Sequence, residues 1–211
     1  MDFVTSPPIE NFLIDAETGR AVVVSLRRAL DGGSKILVWG PRVGAIEIVE
    51  DLFELWPASG PIVAVNAGAM CTRTREHQQD SGWVNWAEAD ANMLLKQAID
   101  RHPHGVALTM ASEETGPMIK RAMSEPDRGF VTSIPAGSAD EASSEFAKYA
   151  DSNAIDMLVE VRLVDGQFVI GDIKQLSRDG TQVPAFTLDA SKRYIPHSSS
   201  RSGFWTVPKS S

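Results

Sequence analysis

The stretch SKILVWGPRVGAIEI, Ser34 to Ile48, holds the residues whose order suggests chemistry first. An apolar run that enters a glycine-bearing turn is how a phosphate-binding loop begins. In G-x-x-x-x-G-K-[ST] the glycines let backbone N–H groups wrap the phosphates, the lysine neutralises them and the hydroxyl holds magnesium. On that spacing Gly40 takes the first glycine's place and Arg42 and Gly44 fall inside the loop. Ala45, Ile46 and Glu47 stand where the second glycine, the lysine and the hydroxyl belong. A carboxylate at Glu47 is worse than neutral, because at ~4 Å and an effective dielectric of ~20 it repels each phosphate charge by about 4 kcal/mol. Taken alone, these residues describe a plain strand-to-helix junction as readily as a phosphate loop that has lost its grip.

Other reactive side chains are scattered. Cys71 is the single cysteine, which excludes an internal disulfide and a multi-cysteine zinc site. His77, His102, His104 and His197 have no metal-ligand spacing with Cys71 or a carboxylate, so no metal and no cofactor is expected. No G-x-S-x-G elbow supports a hydrolase triad. Arg73 and Arg75 fall in a polar stretch where solvated arginines are the plain reading and contact with a partner the sharper one. Trp83 and Trp86 flank a helix start and are candidates for an aromatic anchor, with core packing the plainer alternative. Phe204 and Trp205 sit in a Ser-rich end with Arg201, where a protein groove or nucleic acid is conceivable and a mobile tail the simpler reading.

The chain that must position these residues has 211 residues, 43% hydrophobic and 23% charged, the profile of a globular domain with a real core. A formal charge of -8 argues against broad binding to nucleic acid or an anionic membrane. The exception is local: after Asp189 come only Lys192, Arg193, Arg201 and Lys209. MDFVTSPPIENF has no basic segment followed by an apolar run, and no stretch approaches the ~20 apolar residues of a membrane helix, so the expected location is the cytoplasm.

Residues 1–19 read as an arm or linker, 20–190 as one domain and 191–211 as a basic Ser-rich tail. Val23, Leu26, Arg27 and Leu30 recur at helical spacing before Gly32-Gly33. KILVW and PIVAV are short apolar runs of the kind buried on both sheet faces, and Ala45, Val49, Leu52, Phe53 and Trp56 form a helical stripe between them. Asn66 to Gly82 reads as a loop or short edge structure. A helix through Ala87, Ala91, Leu94, Leu95 and Ala98 follows, then a strand VALTM, a helix SEETGPMIKRAM capped by Ser112, and a strand GFVTSI. SADEASSEFAKYA carries a capping box at Ser138 and Glu141. Alternation on both sides of Asp165-Gly166 signals a hairpin, and TQVPAFTLD can add a strand. The expected fold is α/β, a mostly parallel sheet flanked by helices with a C-terminal antiparallel β-hairpin extension.

From Arg20 to Asp189 the order of segments resembles the RecA-like C-terminal domain of the traffic ATPases of type IV secretion and conjugative transfer. GFVTSIPAGSADEA looks like that family's histidine box, with Pro135 where the histidine would be. RHPHGVALTMASEETGPMIKRAM is similar to its Walker B strand and the helix beyond; Met110 replaces the water-activating glutamate and Ser112 the arginine after it. GPIVAVNAGAM occupies the place of its Asp box, where Asn66 and Ala67 replace the acidic pair. Arg73 and Arg75 fall near where the family supplies arginines to bound nucleotide. The resemblance also implies a missing N-terminal domain and relatives that form hexameric rings.

Phosphoryl transfer needs a positioned base, a magnesium ligand and cations over the γ-phosphate. At every matched position those groups are substituted. The expectation is therefore a catalytically inactive, P-loop-like relative that binds a secretion or conjugation ATPase or a coupling protein and modulates or inhibits transfer. Two rivals stand beside it: a divergent NTPase using Arg42, Glu47 and Glu113, and an unrelated α/β module for a small ligand.

Overall fold

The computed structural model describes residues 8–57, 60–66, 71–76, 79–80, 84–85, 91–101, 103–125, 127–177 and 179–197. Why a sheet organises them is visible in β1 (Lys35–Gly40), every residue of which is buried. Such a strand needs helices on both faces. Ile36 and Val38 face one core with α1 (Ala16–Asp31) and α2 (Arg42–Leu55), while Leu37 and Trp39 face a second core with α3 (Ala91–Asp100), α4 (Gly116–Met123) and α5 (Ala139–Phe146). The tryptophans read as core are buried, Trp39 in the second core and Trp56 in the first. A 3-10 helix at Pro8–Phe12, inside the segment read as an arm, places Ile9 in the first core.

Five strands run parallel in the order β8 (Met157–Val164), β1, β7 (Gly129–Pro135), β6 (Gly105–Leu108), β2 (Ile62–Asn66). Counted along the chain within this parallel set, that order is fifth, first, fourth, third, second. Antiparallel wings extend both edges. Beyond β2 lie β3 (Cys71–Glu76), β4 (Gln79–Asp80) and β5 (Val84–Asn85); beyond β8 lie β9 (Gln167–Leu176), β10 (Gln182–Leu188) and β11 (Tyr194–Pro196). The expected mostly parallel sheet therefore needs correction: six of the ten strand pairings among the described residues are antiparallel.

The stretch from Asn66 read as a loop or short edge structure contains β3, paired residue for residue with β2. One local reading changes and one is refined. Ser112 does not cap α4; Ser112 and Thr115 exchange hydrogen bonds in a turn of their own, and the helix begins at Gly116. Pro117 explains the start, since a residue without an N–H fits the first helical turn and not a later one. At α5 the capping box forms with a one-residue offset: Glu141 N–H donates to Ser138 Oγ, and Glu141 Oε2 accepts from Gly137 N–H at 2.7 Å. The hairpin at Asp165-Gly166 is as read, both residues having positive φ as a tight turn between twisted strands requires. Among the described residues no helix is long and apolar enough to cross a membrane.

Candidate functional site

In open α/β sheets ligands meet the chain at the carboxyl ends of parallel strands, where successive connections leave for opposite faces. Here α2 leaves β1 on one face and α5 leaves β7 on the other, so that point lies between β1 and β7, where Gly40 and Pro135 are register partners. The sequence-predicted positions come to this edge together. Asn66 ends β2, Met110 and Ser112 follow β6, and Pro135 ends β7.

No loop intervenes between β1 and α2. β1 ends at Gly40 and α2 begins at Arg42, so only Pro41 separates strand from helix. The residues that would wrap a phosphate are already the first helical turn. Ala45 N–H, at the position of the second loop glycine, is bound to Pro41 O at 2.9 Å. Gly40 has φ 140°, and a Cβ there would overlap the backbone of Val161 on β8. At Gly44 a Cβ would lie 2.5 Å from Cγ of Phe168 on β9, so an aromatic ring covers the first turn of α2. The β8–β9 hairpin that applies this pressure bulges between Val159 and Val161. The bulge is tied by Arg162, whose Nη2 reaches Glu160 at 2.6 Å and Asp172 at 3.1 Å.

Negative charge gathers along one face of α2 beyond its first turn. Arg42, Val43 and Glu47 are exposed, Ile46 is half-buried and Ala45 buried. Glu47, Glu50, Asp51 and Glu54 follow at i, i+3, i+4 and i+7, one face of α2. Asn66 Nδ2 donates to Glu50 Oε1 at 3.2 Å, so the residue in the place of the acidic pair binds this acidic face. Burial raises the Glu50 pKa above the usual carboxylate range, and the Asn66 hydrogen bond only partly opposes it. Burial pushes Asp51 further, to about 7, with repulsion from Glu54, Glu50 and Glu47 adding to it. Sequence reading passed over Glu50, Asp51 and Glu54; their helical spacing was the signal that could have found them.

Arg73 and Arg75 face inward from β3 onto the C-terminal end of α2. Arg73 pairs with Glu54, and its guanidinium lies 5.3 Å from the centre of the Phe53 ring. Arg75 donates to Phe53 O at 2.9 Å, to Glu54 O at 3.1 Å and to Trp56 O, and stacks 5.1 Å from the same ring. These are carbonyls that a helix end leaves without intrahelical partners, and a cation there also suits the helix dipole. Trp83, Trp86, Phe204 and Trp205 lie outside the described residues. Among the described residues no three His, Cys, Asp or Glu side chains gather to hold a metal ion.

Fold and edge together define an α/β protein with a strand–helix junction at the switch point of its sheet and a helix where a phosphate loop would lie. No protein-family model and no curated protein matches the sequence. The fold is similar to the crystal structure of the VirB11 ATPase from the Brucella suis type IV secretion system in complex with sulphate, with a TM-score of 0.57 and 15% identity over 82% of this chain. This chain spans 59% of that protein's length. At that identity the likeness is one of fold.

Proposed function

We propose that this protein is a catalytically inactive relative of the type IV secretion and conjugative-transfer traffic ATPases, built on a RecA-like sheet, that acts by binding. In this reading it works in the cytoplasm, its partner is a secretion or conjugation ATPase or a coupling protein, and its effect is to modulate or inhibit transfer. One observation carries the proposal: α2 starts one residue after β1, with Ala45 N–H committed to the helix and Phe168 over Gly44. Phosphate binding depends on uncommitted N–H groups around a cavity, and catalysis on cations and a base at the phosphates. This junction has Ala45 N–H committed to the helix, Phe168 over Gly44, and the carboxylates of Glu47 and Glu50 near where a lysine and a magnesium ligand would be needed. The likeness to VirB11 supports the choice of partner class, because packing surfaces and active-site groups depend on different residues and one can outlast the other.

The test has two arms. Titration calorimetry with ATP and magnesium is expected to show no binding at millimolar nucleotide and no phosphate release. Micromolar affinity with turnover would instead favour a divergent NTPase using the exposed Arg42, Glu47 and Glu113. Sedimentation of the protein mixed with a VirB11-type ATPase, and separately with a coupling protein, is expected to show one complex. Co-expression in a conjugating donor is then expected to change transfer frequency. Absence of any complex would remove the binding half of the proposal even if the nucleotide arm held.

A further inference from the structure

The outer surfaces of α1 and α2 carry opposite charges in rows of the same spacing. On α1, Arg20, Val24, Arg27 and Arg28 are exposed at i, i+4, i+7 and i+8, one side of the helix. None of the three arginines has an ion-pair partner among the described residues, although the chain as a whole has a formal charge of -8. On α2, Glu47, Asp51 and Glu54 recur at i, i+4 and i+7. Glu47 is exposed and the other two are half-buried. Glu54 is shared with Arg73 and Arg75, whereas Glu47 and Asp51 form no ion pair among the described residues.

The topology sets how the rows lie. α1 ends just before β1 and α2 begins just after it, so the chain reverses at each turn and both helices run antiparallel to β1 on one face of the sheet. They are therefore parallel to each other. Arg20 comes four residues after the start of α1 and Glu47 five after the start of α2. Seven residues, ~10 Å along a helix, separate Arg20 from Arg27 and Glu47 from Glu54. The cationic and the anionic row thus have one length, one direction and a similar depth in their helices.

We propose that two copies of this chain pair face to face through the α1–α2 layer, about a two-fold axis that runs along the helices. Such an axis exchanges the places of α1 and α2 and keeps their direction, so the surface is complementary to itself. Each copy's Arg20 then meets Glu47 of the partner subunit, and its Arg27 and Arg28 meet the partner's Asp51 and the partner's Glu54. Val24, exposed in the free chain, is covered at the centre of the contact. The 3-10 helix at Pro8–Phe12 packs on both α1 and α2 and exposes Glu10, which meets its own copy near the axis. That is one repulsive pair against two attractive rows. The pairing does not depend on the function proposed above.

Sedimentation velocity of the full chain over a range of concentrations is expected to show a monomer–dimer equilibrium that weakens as salt rises and screens the rows. Arg20→Glu and Glu47→Arg, made in separate chains, each set like charges across the contact twice per dimer and should weaken self-association about tenfold or more. Both positions are exposed, so neither reversal disturbs the core. Mixed one to one, the two variants should recover a dimer as tight as the parent's, because each α1 row then meets the opposite charge on the other copy. A parent that stays monomeric at every concentration, an assembly larger than a dimer, or a mixture that associates no better than the separate variants would each overturn the assignment.

Discussion

Asp51 is the residue through which the acidic face of α2 can be weighed. Its carboxyl titrates at about 7 instead of 3.8, chiefly because burial disfavours the charge and secondarily because Glu54, Glu50 and Glu47 repel it. In the unfolded chain those neighbours are solvated and Asp51 ionises normally. Between about pH 4 and pH 7 the folded protein therefore keeps a proton that the unfolded chain has released, and stability falls as pH rises through that window. The move from 3.8 to about 7 corresponds to ~4 kcal/mol, but Asp51 is only half-buried and solvent screens it, so about 2 kcal/mol is the working figure. Asp51→Asn, which cannot ionise, should be more stable than the parent by about that amount near pH 8 and roughly equal to it near pH 3, where Asp51 is mostly protonated in both the folded and the unfolded parent. Urea unfolding of both proteins at the two pH values isolates the effect, because carboxylates common to both cancel in the difference. With a slope of ~2 to 3 kcal/mol per molar urea, the midpoint should rise by about 0.7 to 1 M near pH 8 only. A gain of equal size at both pH values, or a loss near pH 8, would refute the account of α2 as a face of self-repelling carboxylates.

Two further substitutions probe the ends of that helix. Arg75→Met removes the donor to three carbonyls and the stacking on Phe53 while keeping an apolar stem; chemical denaturation should show a loss of about 3 kcal/mol, against about 1 kcal/mol for Arg73→Met, whose main partner is the half-exposed Glu54. Gly44→Ala should destabilise by about 1 kcal/mol or more despite the better helix propensity of alanine, because its Cβ must displace Phe168; Gly44→Ala combined with Phe168→Ala should not add the two separate losses.

Elements whose signal is local were legible in the sequence. Apolar runs gave β1, β2, β6 and β7, the stripe from Ala45 to Trp56 gave α2, and Asp165-Gly166 gave the hairpin. β3 was legible only as a loop or short edge structure, because CTRTRE carries no apolar alternation; it pairs with the edge of β2, and Arg73 and Arg75 find Glu54 and the end of α2 across the sheet. The balance of parallel and antiparallel pairing was misjudged because both wings run further than expected: β3 to β5 add short strands beyond β2, and β11 lies in the stretch read as a tail. At the site Asn66, Met110, Ser112 and Pro135 share one edge because each ends or follows a parallel strand, an arrangement that reading the strand ends from the sequence already implies. That α2 would begin at Arg42 was not visible. Gly40-Pro41 reads as a turn, and nothing local says that Val161 and Phe168, more than a hundred residues later, will press the chain directly into a helix.

The two ends of α2 bear on each other. Arginines near which the family resemblance would seat a nucleotide are instead bound to the last turn of this helix, and its first turn is closed under Phe168. An Arg75 that reached for a phosphate would give up its bonds to the Phe53, Glu54 and Trp56 carbonyls, of which Phe53 O keeps only the Trp56 N–H at 3.4 Å, and would abandon the ring it stacks on. Wrapping an anion at the other end as a phosphate loop does would require residues 42–45 to unwind, breaking the bond from Ala45 N–H to Pro41 O, with Glu47 facing the anion. Each change costs stability before any phosphate contact forms, and no single substitution removes both. Restoring only a lysine at Ile46 and a threonine at Glu47 should therefore leave nucleotide binding undetectable by calorimetry; micromolar binding by that double variant would show that the helix, and not the missing side chains, had been given too much weight.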